Sequence, residues 1–146
     1  MSKRADTIIL RLARPEEHAE LEQLQAHASL ELPEYREQLL HDPQAIHLPP
    51  AQIANGQVII AEFNGQIAGF AAVVAGELDG LFVEPELWGR GIGRSLIDAA
   101  THEARKRGLA LTVIANPSSR RFYESCGFVI EGEEQTRLGI AFRMSK

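Results

Sequence analysis

A mixed α/β domain is what this sequence predicts, and three observations predict it. One short apolar strand is followed by a pair of helical patterns. Three apolar segments joined by tight turns then read as an antiparallel meander. The remainder alternates strand, helix, strand, helix and strand. At 146 residues the chain is about one domain long, so residues 1–146 are read as a single domain.

Residues 7–12 are apolar enough for a first strand. Arg14-Pro15-Glu16-Glu17 opens a helix, its proline suited to the first turn and its acids to the positive end of the dipole. Leu21, Leu24, Ala28 and Leu30 give that helix an apolar stripe. Pro33 begins a shorter helix through Tyr35, Leu39 and Leu40, ending before Pro43. Residues 42–55 carry Pro43, Pro49 and Pro50 and read as a loop with a turn of helix near Ala51. Residues 57–63 and 67–74 are strands about Asn64-Gly65, a strong hairpin signal. Gly76 marks another turn, and residues 78–83 form the third consecutive strand.

Beyond Val83 the chain turns through Gly89, Gly91 and Gly93 into a helix whose face carries Ile92, Leu96, Ile97, Ala100 and Ala104. Arg105-Lys106-Arg107 suits its C-terminal dipole, and Gly108 supplies the cap. Residues 109–115 read as a buried strand. Asn116-Pro117 reads as an N-cap with proline at the first helical position, opening a short helix through Phe122-Tyr123 that ends at Gly127. Residues 128–130 and 138–144 complete the sheet.

Composition narrows the function classes. With 45% hydrophobic and 24% charged residues the chain falls among soluble globular proteins. A net charge of −5 argues against nucleic acid as a whole-surface partner. No apolar run approaches the ~20 residues of a membrane span. The one cysteine, Cys126, excludes an intramolecular disulfide and a cysteine-rich metal site. His18, His27, His41, His47 and His102 lack close ligand spacing, so no metal is expected. The first residues show no hydrophobic segment of signal type, and a cytoplasmic protein is expected. A homodimer is left open.

The chemistry begins at Leu81-Phe82-Val83-Glu84-Pro85, where the strand stops, and at Trp88-Gly89-Arg90-Gly91-Ile92-Gly93-Arg94-Ser95-Leu96, where the helix starts. Strand, glycine turn and helix start bring backbone N–H groups together on phosphate oxygens. The P-loop spacing fails, because Gly89 and Gly93 are three residues apart and Arg94 stands where lysine is needed. The dinucleotide fingerprint fails too, its last glycine falling on Arg94 or Leu96. The pattern Val-x-Pro-x-x-x-Gly-x-Gly-x-Gly-x-x-Leu instead resembles motif A of the GNAT family, the Gcn5-related N-acetyltransferases. Trp88 departs from that motif, whose usual first residue is arginine or glutamine.

The resemblance implies a central, mostly antiparallel sheet with one parallel strand pair splayed at the cofactor site. It implies that N–H groups from Gly89 to Ser95 cradle the pyrophosphate of acetyl-CoA, with Arg90 and Arg94 adding charge. Main-chain groups of Leu81, Phe82 and Val83 would bind the pantetheine arm. The element order resembles the family from Thr7 onward, but only residues 77–96 and 116–128 carry its specific motifs.

Asn116-Pro117-Ser118-Ser119-Arg120-Arg121-Phe122-Tyr123-Glu124-Ser125-Cys126-Gly127-Phe128 resembles the family's second signature, in which the tyrosine protonates the departing thiolate. A tyrosine of pKa about 10 keeps its proton at neutral pH, as a general acid must. Read without the motif, Tyr123 is sooner a half-buried aromatic with Phe122 as its core partner than an acid, and Asn116 can be both helix cap and cofactor contact. Phe122 and Asn116 are carried as cofactor contacts. A lysine-like amine, pKa about 10.4, needs a base or a water relay before it attacks a thioester. Glu77 is the candidate and Asp79 its rival, since strand alternation would set 77, 79, 81 and 83 on one face.

The expected activity is direct transfer of an acetyl group from acetyl-CoA to a primary amine, with Tyr123 as acid and Glu77 as base. The first two helices, the loop after them and the loop before the last strand would set the acceptor, with Glu31, Glu34, Tyr35 and His47 as candidate contacts. Two other classes stay open: a non-catalytic acyl-CoA-binding or regulatory module, and a nucleotide binder using the same turn for ATP.

Overall fold

Seven strands form one sheet in the order β1-β2-β3-β4-β5-β7-β6. A computed structural model describes residues 6–42 and 47–146; Pro43, and with it part of the 42–55 loop, lies outside the described residues. The strands are β1 (Ile8–Leu12), β2 (Val58–Phe63), β3 (Gln66–Val74), β4 (Glu77–Val83), β5 (Thr112–Ala115), β6 (Val129–Thr136) and β7 (Gly139–Ser145). The helices are α1 (His18–Leu30), α2 (Pro33–His41), α3 (Pro50–Ala54), α4 (Ile92–Lys106) and α5 (Arg120–Ser125). Among these helices none is long and apolar enough to cross a membrane.

Both faces of the sheet are covered. On β2, Val58 and Ile60 join Leu21, Leu24, Ile53 and Phe70 beneath α1 and α3. Ile59 and Ala61 point the other way, to Leu96, Ile97, Ala100 and Met144 beneath α4. This is why the segment reads as a continuous apolar run. On α4 the expected stripe is buried, and Thr101 joins it with its hydroxyl donating to the Ile97 carbonyl at 2.7 Å. On α1 the stripe ends sooner, for Leu30 is exposed.

The meander is joined by two-residue turns. Asn64 and Gly65 both adopt positive φ, 50° and 86°. Ala75 and Gly76 do the same at 51° and 81°, which matches the twist of a hairpin and strains the alanine by roughly 1 kcal/mol.

Three expectations change. Strand β5 starts at Thr112, not Leu109, because Leu109 belongs to the helix end: its N–H reaches back to the Ala104 carbonyl across Gly108, whose φ is 71°. Strand β6 runs on through Glu131-Gly132-Glu133-Glu134-Gln135 to Thr136. A bulge at Glu131 and an outer position in the sheet hide its alternation. The third change is in β4. Ala72 pairs with Gly80 and Val73 with Leu78, so Asp79 is an extra residue and the alternation flips across it. Leu78, Leu81 and Val83 pack with the α4 core and Phe82 with the other. Glu77 and Asp79 therefore do not share the face of Leu81 and Val83.

Strand β4 is parallel to β5, yet only Glu77↔Thr112 and Leu78↔Val113 are paired. Beyond the bulge the two strands diverge, and the gap between them holds the candidate site.

On the α1 side, Arg11 ties β1 to its neighbours. Its guanidinium grips Glu17 through two bonds, 2.9 and 2.6 Å, and Glu62 through a third at 2.7 Å. The Arg11 bond holds the Glu17 carboxyl below its usual range, against the opposing effect of burial. A carboxyl lowered on folding adds stability above its unfolded value, 4.5, and loses it as the pH falls through the folded value. Glu17→Gln should cost about 1–3 kcal/mol in urea unfolding at pH 7. The difference from the parent should shrink below about pH 4.5.

Candidate active site

Helix α4 begins without a side-chain cap. Its N-cap is Gly91, at φ 85°, and its first internal bond runs from the Ser95 N–H to the Gly91 carbonyl at 3.0 Å. The N–H groups of Ile92, Gly93 and Arg94 thus have no partner within the helix, and they stand at the positive end of its dipole. Gly89 also adopts a positive φ, 83°. A Cβ at Gly89 or Gly91 would meet nothing within 4 Å. The open space over this turn fits a phosphate-bearing ligand. Gly93 serves packing instead, since a Cβ there would lie 3.0 Å from the Phe122 ring. Its bareness lets α5 close on α4.

Trp88 fixes the strand side of the turn. Its indole N–H donates to the Val83 carbonyl at 2.8 Å, while the ring stays 49% exposed. Both arginines have partners, and Arg94 also lines the cavity over the turn. Arg94 donates to the Ser125 carbonyl at 3.1 Å. Arg90 lies over the Phe63 ring at 5.7 Å and 3.9 Å from Asp6. Burial, then Glu86, raises the Glu84 carboxyl, with His27 at 3.6 Å opposing.

A cavity of about 550 Å³ runs from this turn into the gap between β4 and β5. Leu81, Phe82 and Val83 form one wall, Ala28 and Leu32 another, and Phe122 and Tyr123 line the α5 side. Tyr123 is buried, with Phe122 and Phe128 edge-on at 5.3 Å each. Burial raises its pKa, and the neighbouring Tyr35 and Cys126 raise it further. The phenol keeps its proton well above neutral pH.

A second cavity, of about 370 Å³, lies where α2, the end of β5 and the β6–β7 turn meet. Tyr35 and Gln38 line it from α2, Ile114 from β5, Asn116 from just beyond that strand, and Arg137 from the turn. Leu32 faces the first cavity while Glu34 and Tyr35 face the second, so the α1–α2 junction is the wall between them. That wall is anchored. Glu34 accepts from the Ser118 N–H at 3.0 Å and from its hydroxyl at 2.8 Å. The same hydroxyl oxygen lies 2.9 Å from Asn116 Oδ1, so its one proton serves either acceptor, and the Ser119 N–H caps onto Asn116 Oδ1 at 3.0 Å.

The expected carboxylates stand apart from both cavities. Glu77 is exposed at the paired foot of β4. Asp79, the bulge residue, accepts from Gln52 Nε2 at 2.8 Å. Glu31 and His47 are exposed and line neither cavity. Sequence reasoning missed Gln38, Ser118 and Arg137; the available signal for Arg137 was the short polar turn ahead of Gly139.

Comparison with known proteins bears on this arrangement. Residues 31–146 match the family model described as an acetyltransferase (GNAT) domain. A protein of Pseudomonas phage PaMx11 named 5-NmdU N-acetyltransferase is 33% identical over 141 residues, covering 92% of this chain and 96% of that one. A crystal structure from Rhodopseudomonas palustris, described as a GCN5-related N-acetyltransferase, is 29% identical with a TM-score of 0.78, covering 96% and 95% of the two chains. PaiA N-acetyltransferase of Thermoplasma acidophilum, solved with coenzyme A, shares the fold at a TM-score of 0.74 and 21% identity, covering 96% and 98%.

Proposed function

We propose a function from one premise: the chain belongs to the GNAT acetyltransferase family. It is an acetyl-CoA-dependent N-acetyltransferase. Our reading is that the cavity over the α4 turn takes the donor, the cavity at α2 takes a primary amine, and the acetyl group crosses directly between them. The observation that carries this is that the two cavities abut at the α1–α2 junction, with Tyr123 on the donor side and Tyr35 close to it on the other, so an amine entering there would meet the thioester at that boundary.

Bound acetyl-CoA supplies the acetyl group as a thioester. The chain's own residues do the rest. Free N–H groups at Ile92, Gly93 and Arg94, and the bare Gly89 and Gly91, hold the pyrophosphate. The unpaired edge of Leu81, Phe82 and Val83 takes the pantetheine arm as an added strand. Phe122, closing over Gly93, flanks the donor cavity, and Asn116, capping the next turn, would meet the cofactor only from the side of the second cavity. The amine loses a proton as its C–N bond forms. The C–S bond breaks, and Tyr123 returns a proton to the sulfur. Glu77 is kept as the base over Asp79, which is held by Gln52; since Glu77 lines neither cavity, it would act only through a relay of water. Arg94, which lines the cavity, and Arg90, which lies over Phe63, contribute charge around the turn. A buried free thiol at Cys126 suits a reducing compartment, and we place the enzyme in the cytoplasm on that support.

The test is a panel of amines with acetyl-CoA, read by free thiol release. The acceptor named for the phage relative, 5-NmdU, belongs in that panel. Binding has its own readout, for Trp88 is the chain's one tryptophan and lines the donor cavity. Acetyl-CoA should change its fluorescence saturably, and ATP should not compete at equal concentration. Stronger competition by ATP would favour a nucleotide binder.

A further inference from the structure

We propose that the acceptor is a small zwitterion, an amine that also carries a carboxylate or phosphate, and that Arg137 selects it by binding the anion. This rests on the assignment of the second cavity to the acceptor.

Opposite charges line that cavity. Glu34 belongs to the wall shared with the donor side, and its two oxygens are fixed by Ser118. A carboxylate so held keeps lone pairs and negative charge for an approaching ammonium. Arg137 enters from the β6–β7 turn. No ion pair engages it among the described residues, whereas Arg143 on the following strand is paired with Glu134 at 3.4 Å.

The turn is built to hold Arg137 in place. Thr136 donates its hydroxyl to the Gly139 carbonyl at 2.7 Å and accepts from the Leu138 N–H at 3.2 Å. Gly139 adopts φ 110°, a conformation that side-chain-bearing residues rarely take. A guanidinium on such a stem offers a planar fork to two oxygens, the geometry of carboxylate and phosphate recognition.

The remaining lining sets size. Ile114, Leu138 and Ile140 give apolar walls, and Tyr35 and Gln38 give polar tips. A volume of about 370 Å³ is near the small end of ligand pockets, which run from roughly 300 to 1,000 Å³. The chain as a whole carries −5, so an anionic acceptor needs a local cation to be held. Glu34 would repel the anion from the donor end. The two charges orient the acceptor: amine toward Tyr35 and Tyr123, anion toward Arg137.

Matched amines test this. Phosphoethanolamine is compared with ethanolamine, and γ-aminobutyrate with n-butylamine, in thiol-release assays on the parent and on Arg137→Gln. The expected result is at least a tenfold higher kcat/KM for one anionic member over its neutral match. Arg137→Gln should abolish that preference through KM, leave the neutral member within twofold, and leave the acetyl-CoA fluorescence titration unchanged. Arg137→Lys should restore part of it. Whichever pair shows the preference tells carboxylate from phosphate. Equal use of charged and neutral members, a preference that survives Arg137→Gln, or turnover of none of the four with acetyl-CoA still bound would overturn the proposal. Failure of the acceptor-cavity assignment reads differently: Tyr35→Ala would leave KM for every amine unchanged.

Discussion

Tyr123→Phe should bind acetyl-CoA like the parent protein and turn over about 10²- to 10³-fold more slowly. The substitution removes one oxygen from a ring seated between Phe122 and Phe128, so packing survives. Tryptophan fluorescence and KM for the donor report binding, and thiol release reports turnover. If Tyr123 were only a core aromatic, Phe would leave kcat unchanged. The pH profile adds a second check. Burial raises the phenol's pKa above its reference value of 10.0, so the acid form persists through the working range. No fall in rate ascribable to Tyr123 should appear up to about pH 9.5. Glu77→Gln should lower kcat across the working range and leave acetyl-CoA binding unchanged.

Gly91→Ala should act on binding where Tyr123→Phe acts on chemistry. At φ 85° an alanine is strained by roughly 1 kcal/mol, and the new Cβ would occupy the open space over the turn. The helix start can relieve the strain by rotating, which turns the N–H groups of Ile92 to Arg94 away from the phosphates. KM for acetyl-CoA should rise at least tenfold, with kcat changed little, and the fluorescence titration should shift in parallel. An unchanged KM would remove the turn from the donor site.

The donor half of the site was readable because it is nearly continuous in the chain. Residues 81–94 supply strand, turn and helix start; Gly89 and Gly91 could be read as an open turn, whereas the role of Gly93 depends on Phe122, 29 positions away. Asn116 likewise caps its turn as expected. The acceptor half is scattered over α2, the end of β5 and the β6–β7 turn, and no local pattern links Glu34 to Ser118, 84 positions away. Alternation failed in β4 for a related reason. A bulge is a property of the pairing with β3, and one strand's sequence does not reveal where its partner shifts. Burial misled at Leu109, an apolar residue that closes a helix instead of opening a strand.

The separation of the two cavities by the α1–α2 wall governs how such a protein can diverge. On the proposed assignment, donor recognition would rest on a few main-chain conformations in one stretch, where a single Cβ does damage. Acceptor recognition would rest on side chains from three separate segments, none of which supports the glycine turn. Substitutions at 35, 38 or 137 can therefore accumulate and redirect the enzyme to a new amine while its acetyl supply stays fixed. Descendants of this chain would keep one donor and differ in what they acetylate.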